Sequence, residues 1–431
     1  MTRLLSHLCH SRTRLLLACT GLLAAAAAGL VGGRAVAQEI GAPVVIPLYA
    51  TTIDSGGCKW GIYASLAGGT PQLFEFDTGG GGFYSVYSSD SSVAPWWGTN
   101  FTVINNNASN SYDSGYSYSG NTVQTAVTLY SSNGSSLLSL GGATVAQTVS
   151  IIDTKKTNEP IWNNSGSLVG TAPIDGAFYG DFGMDLGYNS NGIVNLVAQM
   201  QFTYGVTPGF IVNTPLNGSN GFLQIGLSAS QTNQAGFNYF GMNVLSNSNT
   251  TASGTPFYNQ SSVNLNLGIS NSVTGRNYTT NIGIITDTGA SPNIHNTQNA
   301  TNPDFPREWI VTDNNGKQFL ESGLALTLSG TNTDGSKVTV YSLTTSTADD
   351  YSNFSGNVIV QDTATTHTNF SFNAGLYFFD HQQVIYDLQN GRIGLGPLTV
   401  PEPSVWCLLV AGLLAASLIG FRSLRAKRFN R

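Results

Sequence analysis

Charge is what this 431-residue chain lacks most: Asp, Glu, Lys and Arg together make up 9% of it, against roughly a quarter in ordinary soluble domains. Basic residues are scarcer still between positions 38 and 400, where eight Lys and Arg stand against 22 Asp and Glu. A nucleic-acid partner is therefore not expected, because nothing basic is available to neutralise phosphates. Cysteine is almost absent. Cys9 and Cys19 lie in an apolar leader, Cys407 lies in an apolar tail, and Cys58 is left alone, so no internal disulfide is expected. Histidine offers no metal site, since His295, His367 and His381 have no ligand spacing, and neither metal nor cofactor is expected. Long amphipathic helical patterns are missing too, apart from "GIVNLVAQMQF", whose apolar spacing predicts a helix over residues 192–202.

What fills the space is short apolar runs punctuated by Gly, Asn and Ser. "VVIPLYA", "WGIYASLA", "QLFEF", "TVQTAVTLY", "GFIVNT", "FLQIGL" and "LALTLSG" read as strands, and the chain is expected to be all-β. The two ends read differently. Residues 1–37 combine Arg3, Arg12 and Arg14 with an apolar stretch and Ala35-Val36-Ala37, the pattern of a signal peptide cut by signal peptidase. A lipoprotein reading of Leu16–Cys19 puts too few apolar residues before the cysteine. At the other end, Val405 to Phe421 is an apolar stretch just long enough to span a thin bilayer, followed by five basic residues. With Pro401-Glu402-Pro403 ahead of it, residues 400–431 resemble a PEP-CTERM sorting signal. That resemblance implies a membrane-held precursor, cleavage by an exosortase and release at the surface of a Gram-negative cell; a plain membrane anchor is the alternative.

In a chain so poor in charge, a carboxylate at the end of an apolar strand demands a reason. "FEFDTGGGG" places Asp77 in an Asp-Thr-Gly triplet, and "IGIITDTGAS" places Asp287 in another. One triplet is a weak signal, but two in matching strand contexts divide the chain into halves and suggest a pair. A Gly after Asp-Thr lets its amide approach the carboxylate, and the Thr hydroxyl can tie the loop to a neighbour. Two facing carboxyls cannot both ionise and would share one proton.

From these triplets outward the sequence resembles the pepsin-like aspartic peptidases over about residues 45–398. "WGIYASLAGGTPQLFEFDTGGGGFYSV" is similar to that family's opening hairpin, "IDGAFYG" to its Asp-Gly segment, and "NAGLYFFDHQQVIYDLQNGRIGLGP" to its terminal segment. The resemblance implies two β lobes, 38–230 and 231–399, with a cleft between them. It implies an endopeptidase acting on polypeptide as a monomer, with Asp77 and Asp287 catalytic and with dyad loops Thr78-Gly79-Gly80 and Thr288-Gly289-Ala290. A flap tyrosine is implied as well. Tyr112 in "SYDSGYSYSG" fits best, Tyr116 and Tyr118 are the alternatives, and Tyr84 stands where the family has a tryptophan that bonds the flap.

Three departures carry expectations of their own. Gly80 and Ala290 replace hydroxyl residues that would donate to the outer carboxylate oxygens, so the pair is expected to hold its proton to higher pH. Glu75 lies on the same strand face as Asp77 and must be protonated or paired. Gly79 to Gly82 add freedom where a rigid loop is wanted. "NAG" at 373–375 is also more polar than the paired aliphatics the family has before this glycine, and these departures leave a second function class open, a non-catalytic surface protein of the same fold that binds protein or carbohydrate.

Overall fold

The computed structural model describes residues 39–398 apart from 90–95, 133, 157, 164–173, 190, 216–220, 247–248, 296, 298–304, 347–355 and 362–369. The leader at 1–37, the tail at 400–431 and His367 lie outside the described residues. Among the described residues no helix is long and apolar enough to cross a membrane.

The chain is almost wholly β, and all seven runs quoted above are strands. Period-two burial explains many of them: in Asn264–Asn271, Leu265, Leu267 and Ile269 turn inward while the residues between stay accessible. The central strands Gln72–Asp77, Phe83–Val86 and Gly180–Gly183 are covered on both faces. Phe74, Phe76, Phe83 and Phe182 meet beneath them with no more than 1% of any ring exposed. Phe74 and Phe83 pack edge to face at 4.9 Å between centroids, and Phe83 and Phe182 lie 5.0 Å apart. Because side chains alternate along a strand, sending Phe74 and Phe76 into this core sends Glu75 and Asp77 the other way.

Each half repeats one unusual arrangement. Gly180–Gly183 inserts between two strands that are neighbours in sequence, parallel to Gln72–Asp77 and antiparallel to Phe83–Val86. In the second half Ser371–Asn373 inserts in the same way, parallel to Arg276–Ile285 and antiparallel to Asn293–His295. Asp181 is paired with Glu75, and Asn373 with Ile285. Both partners precede their aspartate by two residues, so Asp181 and Asn373 occupy equivalent places.

The last described strands join the first sheet. Gln383–Asp387 pairs with Thr207–Asn213, and Arg392–Gly396 pairs with Asn238–Gly241. The buried carboxylate of Asp387 accepts from Arg392 Nε at 3.0 Å and from Asn390 Nδ2 at 2.8 Å, pinning the turn between these last strands.

The helix expected over 192–202 does not form. Only Val197–Gln199 makes a 3-10 turn, and Gln201–Phe202 is already strand. Ile193, Val194, Leu196, Val197, Ala198 and Met200 are all buried, so this segment has no polar face to give to water. Side chains replace the missing helical hydrogen bonds. Asn195 Oδ1 accepts from the Ala198 amide and its Nδ2 donates to the Asp185 carbonyl, while Gln199 Nε2 donates to the carbonyls of Val194 and Thr144.

Candidate active site

Asp77 ends strand Gln72–Asp77, and Asp287 follows strand Arg276–Ile285 by two residues. In each half the glycine amide turns back on its own aspartate: Gly79 N donates to Asp77 Oδ1 and Gly289 N to Asp287 Oδ1, both at 2.7 Å. The threonines cross over. Thr78 Oγ1 donates to the Thr286 carbonyl at 2.7 Å and accepts from the Thr288 amide at 2.9 Å. Thr288 Oγ1 donates to the Phe76 carbonyl at 2.8 Å and accepts from the Thr78 amide at 3.0 Å. Both hydroxyls are buried and fully used, which fixes the two loops against each other.

This clamp brings the carboxyls together. A β-carbon at Gly79 would lie 2.5 Å from the carboxyl carbon of Asp287, and one at Gly289 would lie 2.5 Å from that of Asp77. Each carboxyl therefore rests on the other half's glycine, and the two are within hydrogen-bonding reach of one another. Asp77 is 7% exposed while Asp287 is partly open. Burial, then the neighbouring charges of Asp287 and Asp181, push the Asp77 carboxyl well above the usual carboxylate range. Asp185, whose amide donates to the Gly80 carbonyl at 2.9 Å, is pushed up by burial to about 6.

The two outer oxygens are treated differently. Asp287 Oδ2 accepts from Asn373 Nδ2 at 2.6 Å, so the donor expected to be missing at Ala290 arrives from the inserted strand instead. Ala290 itself contributes its carbonyl, which accepts from the Leu376 amide at 2.8 Å. On the Asp77 side the equivalent place holds Asp181, a carboxyl where the other half has an amide. A β-carbon at Gly80 would lie 2.5 Å from Asp181 Oδ2 and 3.0 Å from Asp77 Oδ2. The glycine run is thus a matter of close approach rather than looseness, and Gly82 at φ +115° adds a backbone angle that side chains avoid.

No family model matches this chain, and no curated protein matches it either. Many solved structures resemble its course, among them two that cover most of it. One is the aspartic proteinase from Irpex lacteus, at 17% identity and a TM-score of 0.46, covering 83% of this chain and 98% of that one. The other is basic 7S globulin from soybean, at 11% identity and a TM-score of 0.47, covering 82% and 96%.

The three candidate flap tyrosines each do something different. Tyr112, at the tip of the hairpin made by Phe101–Ser111 and Tyr116–Tyr130, donates its hydroxyl to Asp181 Oδ2. Tyr116 donates to Asp175 Oδ1 at 3.4 Å. Tyr118 packs edge-on against both Tyr112 and Tyr84. Tyr84 donates to the Ser109 carbonyl at 2.9 Å, the bond to the hairpin that the sequence suggested for it. Next to Tyr112 at the tip, Asp113 Oδ2 lies 3.7 Å from His295 Nδ1 in the second half. His381 engages the Tyr377 carbonyl beyond the helix Gly375–Phe379, away from this contact.

Glu75 is paired. Lys59 Nζ lies 2.8 Å from Glu75 Oε1 and 2.9 Å from Asp175 Oδ2, all three largely buried. Burial raises the Glu75 carboxyl above its ordinary value and Lys59 pulls it back. Burial alone would lower the Lys59 ammonium, but Glu75 and Asp175 outweigh it and raise it. The "IDGAFYG" segment therefore supplies this ion pair through Asp175, whereas the strand reaching the aspartates is Gly180–Gly183 just downstream. Sequence reasoning missed Asp181 and Lys59, and met Asn373 only as a polar departure with no role attached to it. The signal for Asp181 was present: in "GDFG" an acid sits in a short apolar strand, the same anomaly that singled out Asp77.

Proposed function

We propose that the protein is an exported aspartic endopeptidase. The observation that carries this reading is the reciprocal clamp of Thr78 and Thr288, which holds one carboxyl from each half over the other half's glycine. That geometry suits a water held between Asp77 and Asp287. Asp77, driven by burial to keep its proton, acts as the acid, and Asp287, backed by Asn373 and the Gly289 amide, acts as the base. Asp287 takes a proton from the water as its oxygen attacks the peptide carbonyl, and Asp77 donates a hydrogen bond to the oxygen on which negative charge grows. Collapse of the tetrahedral intermediate breaks the C–N bond and passes the one proton that Asp287 took from the water to the leaving amine, so the pair ends with the single proton it began with. In this reading Tyr112, at the hairpin tip, covers the substrate.

One observation favours a non-hydrolytic binding protein instead: Asp181 crowds the outer oxygen of Asp77, and Tyr112 is engaged with it. Incubation with unfolded casein between about pH 3 and about pH 7 separates the readings, beside Asp77→Asn and Asp287→Asn variants and a transition-state analogue with a tetrahedral carbinol. Cleavage by the wild type alone, blocked by the analogue, is the expected result. Equal cleavage by all three proteins, or by none, leaves the binding role. Export rests on residues 1–37 and 400–431, and intact-mass measurement of the cell-surface form is expected to show loss of both segments, the second near Pro401-Glu402-Pro403.

A further inference from the structure

The carboxyl of Asp181 is 3% exposed, and its two oxygens have unequal surroundings: Oδ2 accepts from the Tyr112 hydroxyl, while the buried Oδ1 has no hydrogen-bond partner. A buried carboxylate with one oxygen unserved is costly, whereas a carboxylic acid there needs fewer donors. The space is defined as well. A β-carbon at position 80 would fall between Asp181 Oδ2 and Asp77 Oδ2, so Asp181 reaches in from the inserted strand to the place a side chain at 80 would fill. In the other half the equivalent residue, Asn373, is a neutral donor to its aspartate.

We propose that Asp181 is a positioning residue that keeps a proton of its own beside the acid pair, backing Asp77 as Asn373 backs Asp287 and tying Asp77 to Tyr112 at the hairpin tip. For its catalytic consequence this rests on the peptidase reading. The groups facing Asp181 are mostly acidic or neutral: Glu75 and Asp77 from strand Gln72–Asp77, Asp287 from the second half, Tyr84 from the adjoining strand, and Tyr112 and Tyr118 from the hairpin. Lys59 acts on it too, but its ammonium is committed to Glu75 and Asp175. Burial first, and then Glu75, push Asp181 well above the usual carboxylate range, the same direction the geometry requires. Any charge that develops on Asp181 makes Asp77 hold its proton longer, so the high-pH limb of activity is extended toward neutrality.

Asp181→Asn keeps the shape and supplies an amide donor without a titrating group. The high-pH limb of kcat/KM is expected to move about one unit toward acid, so that cleavage on that limb falls about tenfold while the low-pH rate is kept. Equal loss at every pH, or an unmoved limb, overturns the proposal and leaves Asp181 structural. Thermal unfolding across pH gives a reading independent of catalysis. A carboxyl raised in the folded state holds a proton that the unfolded chain releases above about pH 3.9, so the wild type loses stability as pH rises through that window. Asp181→Asn is expected to unfold at higher temperature than the wild type near neutral pH and to converge with it at about pH 3. If the wild type cleaves nothing, the peptidase reading fails, and this pair of melting curves still decides the protonation of Asp181: parallel curves overturn it. Gly80→Ser supplies the spatial control. It is expected to lower the melting temperature alone and to be tolerated with Asp181→Ala; equal effects in both backgrounds would show that Asp181 does not fill the place of a residue-80 side chain.

Discussion

Taking one ammonium and two carboxylates out of water costs several kcal/mol per ion unless each finds a partner, and Lys59 meets that condition for Glu75 and Asp175 at once. Lys59→Met leaves two acids without their cation, and we expect a loss of about 3–5 kcal/mol near neutral pH in urea unfolding. The loss is expected to shrink as pH falls below about 4, where the unfolded chain also begins to protonate Glu75, whose folded-state value is raised, and the cation is no longer needed to offset its charge. Asp77 is expected to show the opposite sign. Its folded-state value is raised, so the wild type loses stability as pH rises from about 3.9 through that raised value, and Asp77→Asn should melt higher than the wild type at neutral pH while abolishing cleavage. At this scale the sequence singled out the two aspartates and their loops because rarity of charge made each acid conspicuous, and it pointed to Tyr84 and Tyr112 only through the family resemblance. Lys59, Asp181 and the role of Asn373 escaped because they depend on which strand lies beside which, and no local spacing encodes that.

Loops of Asp-Thr-Gly form because each residue does something the others cannot. Threonine carries a hydroxyl that donates and accepts across the two halves, and glycine leaves room for the opposite carboxyl. Thr288→Val removes the hydroxyl but keeps the shape, orphaning the Thr78 amide and the Phe76 carbonyl. Each orphaned buried group costs about 1–3 kcal/mol, and unfolding by urea is expected to show a loss in the upper part of the combined range. Gly289→Ala puts a methyl group where the Asp77 carboxyl stands, so that carboxyl must move. On the peptidase reading, a displacement of about 1 Å in a positioned catalytic group lowers rate by about a hundredfold, and kcat is expected to fall on that scale with the circular dichroism of the sheets unchanged. Strands were legible as elements because alternation and Gly/Asn punctuation are local signals. The expected helix at 192–202 failed for a non-local reason: its apolar residues are buried on every side, and Asn195 and Gln199 bond the backbone that a helix would have bonded to itself.

Over the whole molecule, a chain with so few charges and, among the described residues, a single half-buried thiol at Cys58 relies on buried apolar surface and on sheets that run between distant stretches of sequence. Gln383–Asp387 and Arg392–Gly396, far along the sequence from their partners, lie in the first sheet beside Thr207–Asn213 and Asn238–Gly241. The Thr78–Thr288 clamp and the contact of Asp113 with His295 are further links across the halves. Melting the second half would strip the edge from Thr207–Asn213 and leave Thr78 with unpaired buried groups, so neither half should survive the other. Scanning calorimetry is therefore expected to give one transition whose calorimetric and van 't Hoff enthalpies agree. Two resolved transitions would mean that the shared sheet and the clamp couple the halves by less than the stability of either alone. In that case residues held in place only by the meeting of the halves, Asp77 and Asp287 first among them, would separate before either half unfolds, and cleavage would be lost below the first transition.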